Sequence, residues 1–429
     1  MSTMFRNRHR AASRMIALGA FGVAASTAVL LAGCTPTTSS SSSGGETSSA
    51  ASDCGVLPQN SPDDPDGVVP MLPAAAQTGF NDFPYTVEAS AWSDSAPRTE
   101  PFKIGYTSLP LINAWGSDAY DYLEQRVAEL GAEGVTDPDL ATGLMADPAT
   151  MTPAEQIALY QQLVDQGVDG IIIIPLSGEA MADVVTEAGK KGVVTVAANG
   201  NIPSPYAINV QMNPYLQGLQ PAAEALQHFG GKAKVLYVGG IPGETTEQVT
   251  HDGFQAMLAS CPDVEVVGEV YGQYSSAGAK SAVLQFLASY PGQIDMVVTP
   301  GTMGPGIISA FLDAGREVPM VTATGAQAGE LSFWADQLDQ NPDYVNFGTG
   351  GTSPEVSEAS LQVLIKTLLG GQPIANTVST EPVYITSENV KDFVVPGADL
   401  NSPDQIKPAR GFLSVDFLDQ FFKSPSPIE

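Results

Sequence analysis

The sequence is poor in histidine, cysteine and basic residues. Its 429 residues include 3 His, 3 Cys and 18 Lys plus Arg, against 47 Asp plus Glu, so the formal net charge is −29 at pH 7. A surface this acidic repels the phosphates of nucleic acids and of anionic lipids, and we therefore expect no nucleic-acid partner. Acidic surfaces mostly promote solubility, and attraction of cationic partners is the alternative role.

Familiar catalytic motifs are also missing. The sequence has no Gly-x-Ser-x-Gly elbow, no His-Glu-x-x-His pair and no Gly-x-x-x-x-Gly-Lys-Ser/Thr phosphate loop. His228 and His251 lie in polar helical segments, which is typical of solvent-exposed histidines. We predict that the protein is not an enzyme and has no cofactor and no metal site. An enzyme that uses a pair of cleft carboxylates is the remaining catalytic alternative.

The N-terminus has the pattern of an export signal. Residues 1–14 carry four Arg and no acidic residue, and residues 15–31 form an apolar run rich in Ala, Gly and Ser. This is typical of a secretory signal peptide, whereas a spanning helix is usually longer and more apolar. Leu31-Ala32-Gly33-Cys34 resembles the bacterial lipobox, which implies removal of residues 1–33 and a lipid on Cys34. An uncleaved anchor is the alternative.

The proposed cleavage changes the charge and the cysteine count. Without residues 1–33 the chain has 14 basic against 47 acidic residues, a net charge of −33. Residues 34–52 are rich in Ser and predict a flexible tether to the outer face of the cytoplasmic membrane. With Cys34 lipidated, Cys54 and Cys261 form an even pair in an oxidising compartment. Whether they form a disulfide or stay free is left open by the sequence.

The rest of the chain alternates between strand and helix patterns. Residues 53–101 are rich in Pro, Asp and Ser and predict an irregular extension that packs against the body. Four consecutive isoleucines at 171–174 favour a strand that is covered on both faces. The predicted strands are 102–107, 170–175, 193–197, 235–239, 264–271, 296–299, 320–323 and 382–385, and the predicted helices are 118–130, 154–166, 179–190, 247–259, 277–289, 304–314 and 354–369.

Two successive sets of alternating strands and helices predict an α/β protein with two doubly wound, Rossmann-like lobes and parallel sheets. Open sheets of this kind place ligands outside the carboxyl ends of their strands. A ligand cleft between the two lobes is therefore expected.

Five segments resemble the type I periplasmic binding proteins, the ribose-binding-like sugar receptors of ABC importers, across about residues 102 to 395. They are Lys103-Ile104-Gly105-Tyr106 followed by Asn113-Ala114-Trp115, residues 162–175, residues 190–196, Asp252-Gly253-Phe254, and Gly370-Gly371-Gln372-Pro373. The resemblance implies an N-terminal lobe of residues 102–211 plus 349–381 and a C-terminal lobe of residues 212–348 plus 382–420, joined by hinge crossovers.

The resemblance also implies a function. The protein is expected to be a monomeric, extracytoplasmic substrate-binding lipoprotein. It would capture a small polar solute, carbohydrate-like, by closure of its lobes and deliver it to ABC permease subunits. A ligand-sensing receptor of the same fold, signalling to a membrane kinase or chemoreceptor, is the alternative.

The charged residues that clamp sugars in this family mostly have no counterpart here. Ala197-Ala198 stands where Asp-Arg is common, and Gln248 stands where an Arg is expected. This implies a different polar ligand, a less hydrophilic one, or hydrogen bonding by neutral groups. The predicted ligand-binding residues are the stacking rings Trp115 and Tyr274, the amides Asn113, Asn199 and Gln248, and the strand-end residues Thr302, Thr324 and Gln327. Packing of the rings and loop capping by the amides are the alternative roles.

Overall fold

The computed structural model describes residues 53–148, 150–406 and 414–424. Cys34, the proposed signal peptide and the proposed tether lie outside these ranges. No helix within the described ranges is long and apolar enough to span a membrane.

The described chain contains strands and helices in alternation. The strands are β1 (Ile104–Ser108), β2 (Ala141–Leu144), β3 (Gly170–Ile173), β4 (Val194–Ala198), β5 (Ala207–Met212), β6 (Lys234–Gly239), β7 (Glu265–Tyr271), β8 (Met296–Val298), β9 (Met320–Val321), β10 (Phe347–Gly350), β11 (Thr377–Thr380) and β12 (Val383–Thr386). The α-helices are α1 (Ala74–Gln77), α2 (Ala114–Ala132), α3 (Pro153–Asp165), α4 (Gly178–Lys190), α5 (Pro214–His228), α6 (Thr245–Leu258), α7 (Ser276–Ser289), α8 (Gly304–Asp313), α9 (Ala328–Gln340), α10 (Ser353–Leu368), α11 (Val390–Phe393) and α12 (Val415–Asp419).

The first lobe is built on a parallel sheet with strand order β11-β5-β4-β3-β1-β2. The isoleucines of β3 are fully buried, and they alternate between two cores: Ile172 faces one, whereas Ile171 and Ile173 face the other. This alternation follows from the two-residue period of a strand. The prediction of a strand covered on both faces is confirmed.

The second lobe has a parallel sheet with strand order β7-β6-β8-β9, and a backbone bridge between Ala323 and Gly348 extends it to the pair β10–β12. The pair β10–β12 is antiparallel. The sheet is therefore mixed at one edge, because the chain leaves the lobe after β10 and returns into β12 from the opposite direction. The two-lobed α/β fold predicted from the sequence is confirmed.

Between β1 and β12 the chain crosses between the lobes three times, after β5, after β10 and after β11. The excursion that follows β10 returns α10 to the first lobe, where it packs against α2 and the sheet. Two of the crossings are tied together, because the backbone N–H of Asn213 donates to the carbonyl of Thr380 at 2.8 Å. These crossings link the two lobes and are called the hinge below.

The C-terminal segment packs on the first lobe. Leu418, Phe421 and Phe422 belong to the first-lobe core, and the backbone N–H of Ile374 donates to the carbonyl of Phe421. The sequence predicts residues up to 420 in the second lobe, and for residues 414–420 that assignment is wrong. The apolar face of α12 is covered by the first lobe.

Candidate functional site

A cleft with about 930 Å³ of empty space, partly open to solvent, lies between the two lobes. Its lining comes from segments that follow the carboxyl ends of β1, β2, β3 and β4 in the first lobe and of β6, β7, β8 and β9 in the second, together with Gln217 of α5. This is where open parallel sheets place their ligands. Gly116 and Gly351 complete the lining.

The first-lobe wall of the cleft is mostly apolar. Trp115 lies in the first turn of α2, directly after Asn113, whose Oδ1 accepts from the backbone N–H of Gly116 at 2.9 Å and so starts the helix. Six of the nine side chains in this wall are apolar: Ser108, Leu109, Pro110, Ile112, Asn113, Trp115, Met151, Ile174 and Asn199. The wall suits the apolar face of a ligand.

The second-lobe wall is more polar. Five of its nine residues carry hydrogen-bonding side chains: Gln217, Ile241, Glu244, Thr246, Tyr274, Pro300, Gly301, Thr302 and Gly325. Among the ionisable side chains of this wall in the described chain, Glu244 alone is a carboxylate. An ionised carboxylate accepts hydrogen bonds and donates none.

Glu244 is held in place from three sides. It caps α6, and its carboxylate accepts from the backbone N–H groups of Thr246 and Glu247 at 3.0 Å and from the Tyr274 hydroxyl at 2.8 Å. Only 6% of the residue is exposed. Burial raises the pKa of the Glu244 carboxyl, and the hydrogen bonds from Thr246, Glu247 and Tyr274 oppose that rise. A fixed carboxylate of this kind is pre-organised to accept a hydrogen bond.

Backbone strain is concentrated around the cleft. Asn199, Tyr274 and Thr302 have left-handed φ angles of 50°, 51° and 52°, a conformation that residues other than glycine rarely adopt. All three line the cleft. A strained backbone costs free energy and persists only where surrounding contacts hold it. Such residues are found mostly at binding and active sites.

The structure brings together five of the eight predicted ligand-binding residues. Asn113, Trp115, Asn199, Tyr274 and Thr302 line the cleft. In the structure the amide of Asn113 also caps α2, which is the alternative role stated for it from the sequence, and it donates to the backbone of the opposite lobe.

The other three predicted residues do not line the cleft. Gln248 is exposed on α6 and donates to Asp252 at 2.7 Å, because only the start of that helix faces the cleft. Thr324 and Gln327 are buried on either side of the loop that presents Gly325 to the cleft. The positions of Gln248, Thr324 and Gln327 therefore do not support the prediction that these residues contact the ligand directly.

Four polar residues of the cleft were missed: Ser108, Gln217, Glu244 and Thr246. Glu244 lies five residues beyond β6, at the start of α6, and Gln217 lies in the first turns of α5. Glu244 could have been found in the sequence from its position after a predicted strand and before a predicted helix.

The two lobes touch at the rim of the cleft. The Asn113 amide donates to the carbonyl of Tyr274 at 2.9 Å across the cleft. Gln405, which bridges to Gln327 in the second lobe, donates to Asp118 at 2.7 Å and to Ser353 at 2.8 Å in the first. The structure therefore has its lobes in contact around the cleft.

Two doubly wound lobes, joined by three crossings and touching over a cleft at their strand ends, define a two-lobed ligand-binding protein. Residues 104–372, more than half of the chain, match the family model described as periplasmic binding protein domain. The chain belongs to this family, whose members are solute-binding proteins.

Known relatives agree with this assignment. A xylitol-binding protein of Mycolicibacterium smegmatis is 28% identical over 254 residues, which cover 58% of this chain and 69% of the relative. An ABC transporter solute-binding protein from Thermobispora bispora matches with a TM-score of 0.60 and 26% identity over 68% of this chain and 87% of its own. A third, from Mycobacterium smegmatis with bound glycerol, shares the fold, with a TM-score of 0.58 and 18% identity over 72% of this chain and 100% of its own.

Proposed function

We propose that the protein is an extracytoplasmic substrate-binding lipoprotein of an ABC importer and that it captures a neutral sugar or polyol in the interlobe cleft. The observation that carries this proposal is the pairing of an apolar wall that contains Trp115 with a polar wall that contains the fixed carboxylate of Glu244. The family assignment and the similarity to a xylitol-binding protein support it.

Each wall has a distinct role in this proposal. The Trp115 ring stacks against the C–H face of the ligand, which is how aromatic rings hold sugars and polyols. Glu244 accepts a hydrogen bond from a ligand hydroxyl and is oriented by Tyr274. The amides of Asn199 and Gln217 each offer a donor and an acceptor to further hydroxyls. Neutral amides avoid the desolvation cost of a second buried charge.

Capture requires that the ligand stabilise the closed arrangement. A ligand shifts the equilibrium between open and closed states only through contacts that differ between them. A solute that touches Trp115 on one lobe and Glu244 on the other makes both contacts only when the lobes are together. Hinge closure of this kind is common in two-lobed binding proteins.

The proposed location rests on the N-terminal sequence. Lipid on Cys34 and the tether of residues 34–52 would hold the protein at the outer face of the membrane, where its local concentration near permease subunits is high. The closed form would then deliver the solute to the permease.

The proposal is tested by thermal unfolding of the purified protein in the presence of xylitol, other polyols, neutral sugars, sugar acids and amino acids. A ligand present at 100 times its Kd stabilises the folded state by about 2.7 kcal/mol and raises Tm accordingly. We expect polyols or neutral sugars to raise Tm. If no sugar or polyol raises Tm, the proposed ligand class is wrong.

A further inference from the structure

The extension of residues 53–101 is attached at its start to the second lobe. Cys54 forms a disulfide with Cys261, which follows α6. The side-chain amide of Gln227 on α5 donates to the carbonyl of Gly55, and Leu57 packs against the second-lobe core. The pairing of the two cysteines, left open by the sequence, thus connects the extension to the second lobe.

The remainder of the extension is part of the first lobe. Val68, Leu72, Phe80 and Trp92 are buried in the first-lobe core. The Trp92 indole N–H donates to the carbonyl of Tyr206 at 2.9 Å. One segment of chain is therefore anchored in both lobes.

Between its two anchors the extension contacts the hinge itself. The side chain of Asn213, in the crossing after β5, donates to the carbonyls of Gly79 and Asn81 at 3.2 and 2.6 Å. Ser379, just before the crossing after β11, donates to the carbonyl of Gly79 at 2.7 Å. Gly79 packs so closely that a Cβ there would lie 2.3 Å from the carbonyl oxygen of Ser379. Two of the three crossings are thus bonded to the extension.

The chain between the anchors has little slack. Leu57 packs against the second-lobe core. Three residues later, the backbone N–H of Asn60 donates to the Asp82 carboxylate and the carbonyl of Asn60 accepts from the backbone N–H of Asp82, which follows Asn81 of the hinge contact. Three residue steps separate Leu57 from Asn60, and a fully extended chain covers at most about 11 Å over that distance. Relative motion of the lobes must therefore stretch this link or break the contacts at its ends.

We propose that residues 53–101 form a hinge brace that narrows the range of angles between the two lobes. The disulfide attaches the brace to the second lobe, and its buried apolar residues attach it to the first-lobe core. Between these two attachments it forms hydrogen bonds with the crossing residues Asn213 and Ser379. A ligand that closes the cleft fixes the angle between the lobes. The entropic cost of fixing that angle is smaller when the free protein already samples only a narrow range of angles. The brace thereby pre-organises the cleft.

The test measures the distance between the lobes without any ligand, so its outcome is independent of the ligand proposal. Spin labels on non-natural amino acids replace Lys191 in the first lobe and Glu317 in the second, both exposed. A protease site inserted between Pro58 and Gln59, which are exposed, allows the folded protein to be cut while the disulfide stays intact. We expect a narrow distance distribution in the protein without the inserted site, and a broader one, with populations absent from that protein, after insertion and cutting.

Two further variants sharpen the result. The same protease site between Asn341 and Pro342, an exposed position within the second lobe, controls for cutting as such and should leave the distribution unchanged. Asn213→Asp keeps the acceptor that caps α5 but loses both donors to the extension, so it should broaden the distribution without cutting. A cut at 58–59 that leaves the distribution as narrow as that of the uncut protein overturns the proposal.

Discussion

The two walls of the cleft differ in chemistry although they belong to lobes of the same architecture. The first-lobe wall is dominated by apolar side chains around Trp115, whereas the second-lobe wall presents Glu244, Tyr274 and Thr302. A ligand that satisfies both must have one apolar face and one hydroxyl-bearing face. Ring sugars and extended polyols have this property, whereas a ligand charged over its whole surface does not.

The polar character of the second lobe continues below its surface. Glu330, in the first turn of α9, is 2% exposed, and no side chain among the described residues donates a hydrogen bond to its carboxyl oxygens. Its carboxyl lies against Gly304 at the start of α8. Burial raises the pKa of Glu330 from its ordinary value of 4.5 to about 8. The second lobe therefore contains an acid that is protonated in the folded state at neutral pH.

The largest expected effect is on stability. Since the folded-state pKa of Glu330 exceeds its unfolded value, the stabilisation is complete below about pH 4.5 and is lost as the pH rises to about 8. The free energy of unfolding changes by up to about 1.4 kcal/mol per pH unit, on the order of 5 kcal/mol across the window. Glu330→Gln, which mimics the protonated acid, should remove this pH dependence in urea unfolding between pH 5 and 8.

The matched control for this prediction is Glu317→Gln, which changes an exposed acid of the same lobe. It should keep the pH dependence of the original protein. If Glu330→Gln shows the same slope as the control, burial of Glu330 does not govern the stability of the second lobe.

The next effect concerns the apolar wall. Trp115→Ala removes the ring on which the ligand is expected to stack, and truncation of a central aromatic contact costs about 2–4 kcal/mol, or roughly 30- to 1,000-fold in Kd. Trp115→Phe retains a ring and should lose less. The measurement is calorimetric titration with the sugar or polyol that raises Tm most. An unchanged Kd in Trp115→Ala would place the ligand away from this wall.

The polar wall is tested by Glu244→Gln. Loss of a hydrogen bond to a charged group costs about 1.5–3 kcal/mol, or roughly 10- to 150-fold in Kd. Because the pKa of Glu244 is raised, acidification should weaken binding at a higher pH than it would for an exposed glutamate. In Glu244→Gln this acid-dependent weakening should vanish, and its persistence would show that another group titrates.

The smallest effect is expected from Tyr274→Phe. The variant keeps the ring but loses the hydroxyl that orients Glu244 at 2.8 Å. One hydrogen bond of this kind contributes about 0.5–1.5 kcal/mol, so Kd should rise roughly 2- to 10-fold. Combining Tyr274→Phe with Glu244→Gln should add little further loss, because the hydroxyl acts through the carboxylate. Fully additive losses would indicate that Tyr274 contacts the ligand directly.

The fold was largely predictable because its signals are local. Consecutive isoleucines predict strand β3. Strand β7 begins one residue after the predicted start and ends at the predicted residue. Helix α2 begins four residues before the predicted start because the cap at Asn113 depends on a side-chain hydrogen bond that apolar periodicity does not reveal. The C-terminal segment was misplaced because docking on the first lobe is a long-range packing preference with no local pattern.

The site was only partly predictable for a related reason. Trp115 was found because it stands after the first strand, where the family that the chain resembles places an aromatic ring against the ligand. Glu244 looks like one of many acidic residues in an acidic chain, and only the fold reveals that it is buried, capped against α6 and bonded to Tyr274. Gln248 shows the opposite failure, since the family resemblance placed it in the cleft but the helix turns it to solvent.

The most direct test of the account is a crystal structure of the protein grown with the sugar or polyol that raises its Tm most. The account predicts that this molecule lies between the lobes, with its C–H face against the Trp115 ring and a hydroxyl within hydrogen-bond distance of the Glu244 carboxylate. A ligand bound elsewhere on the protein, or a cleft left empty at saturating ligand, would contradict it.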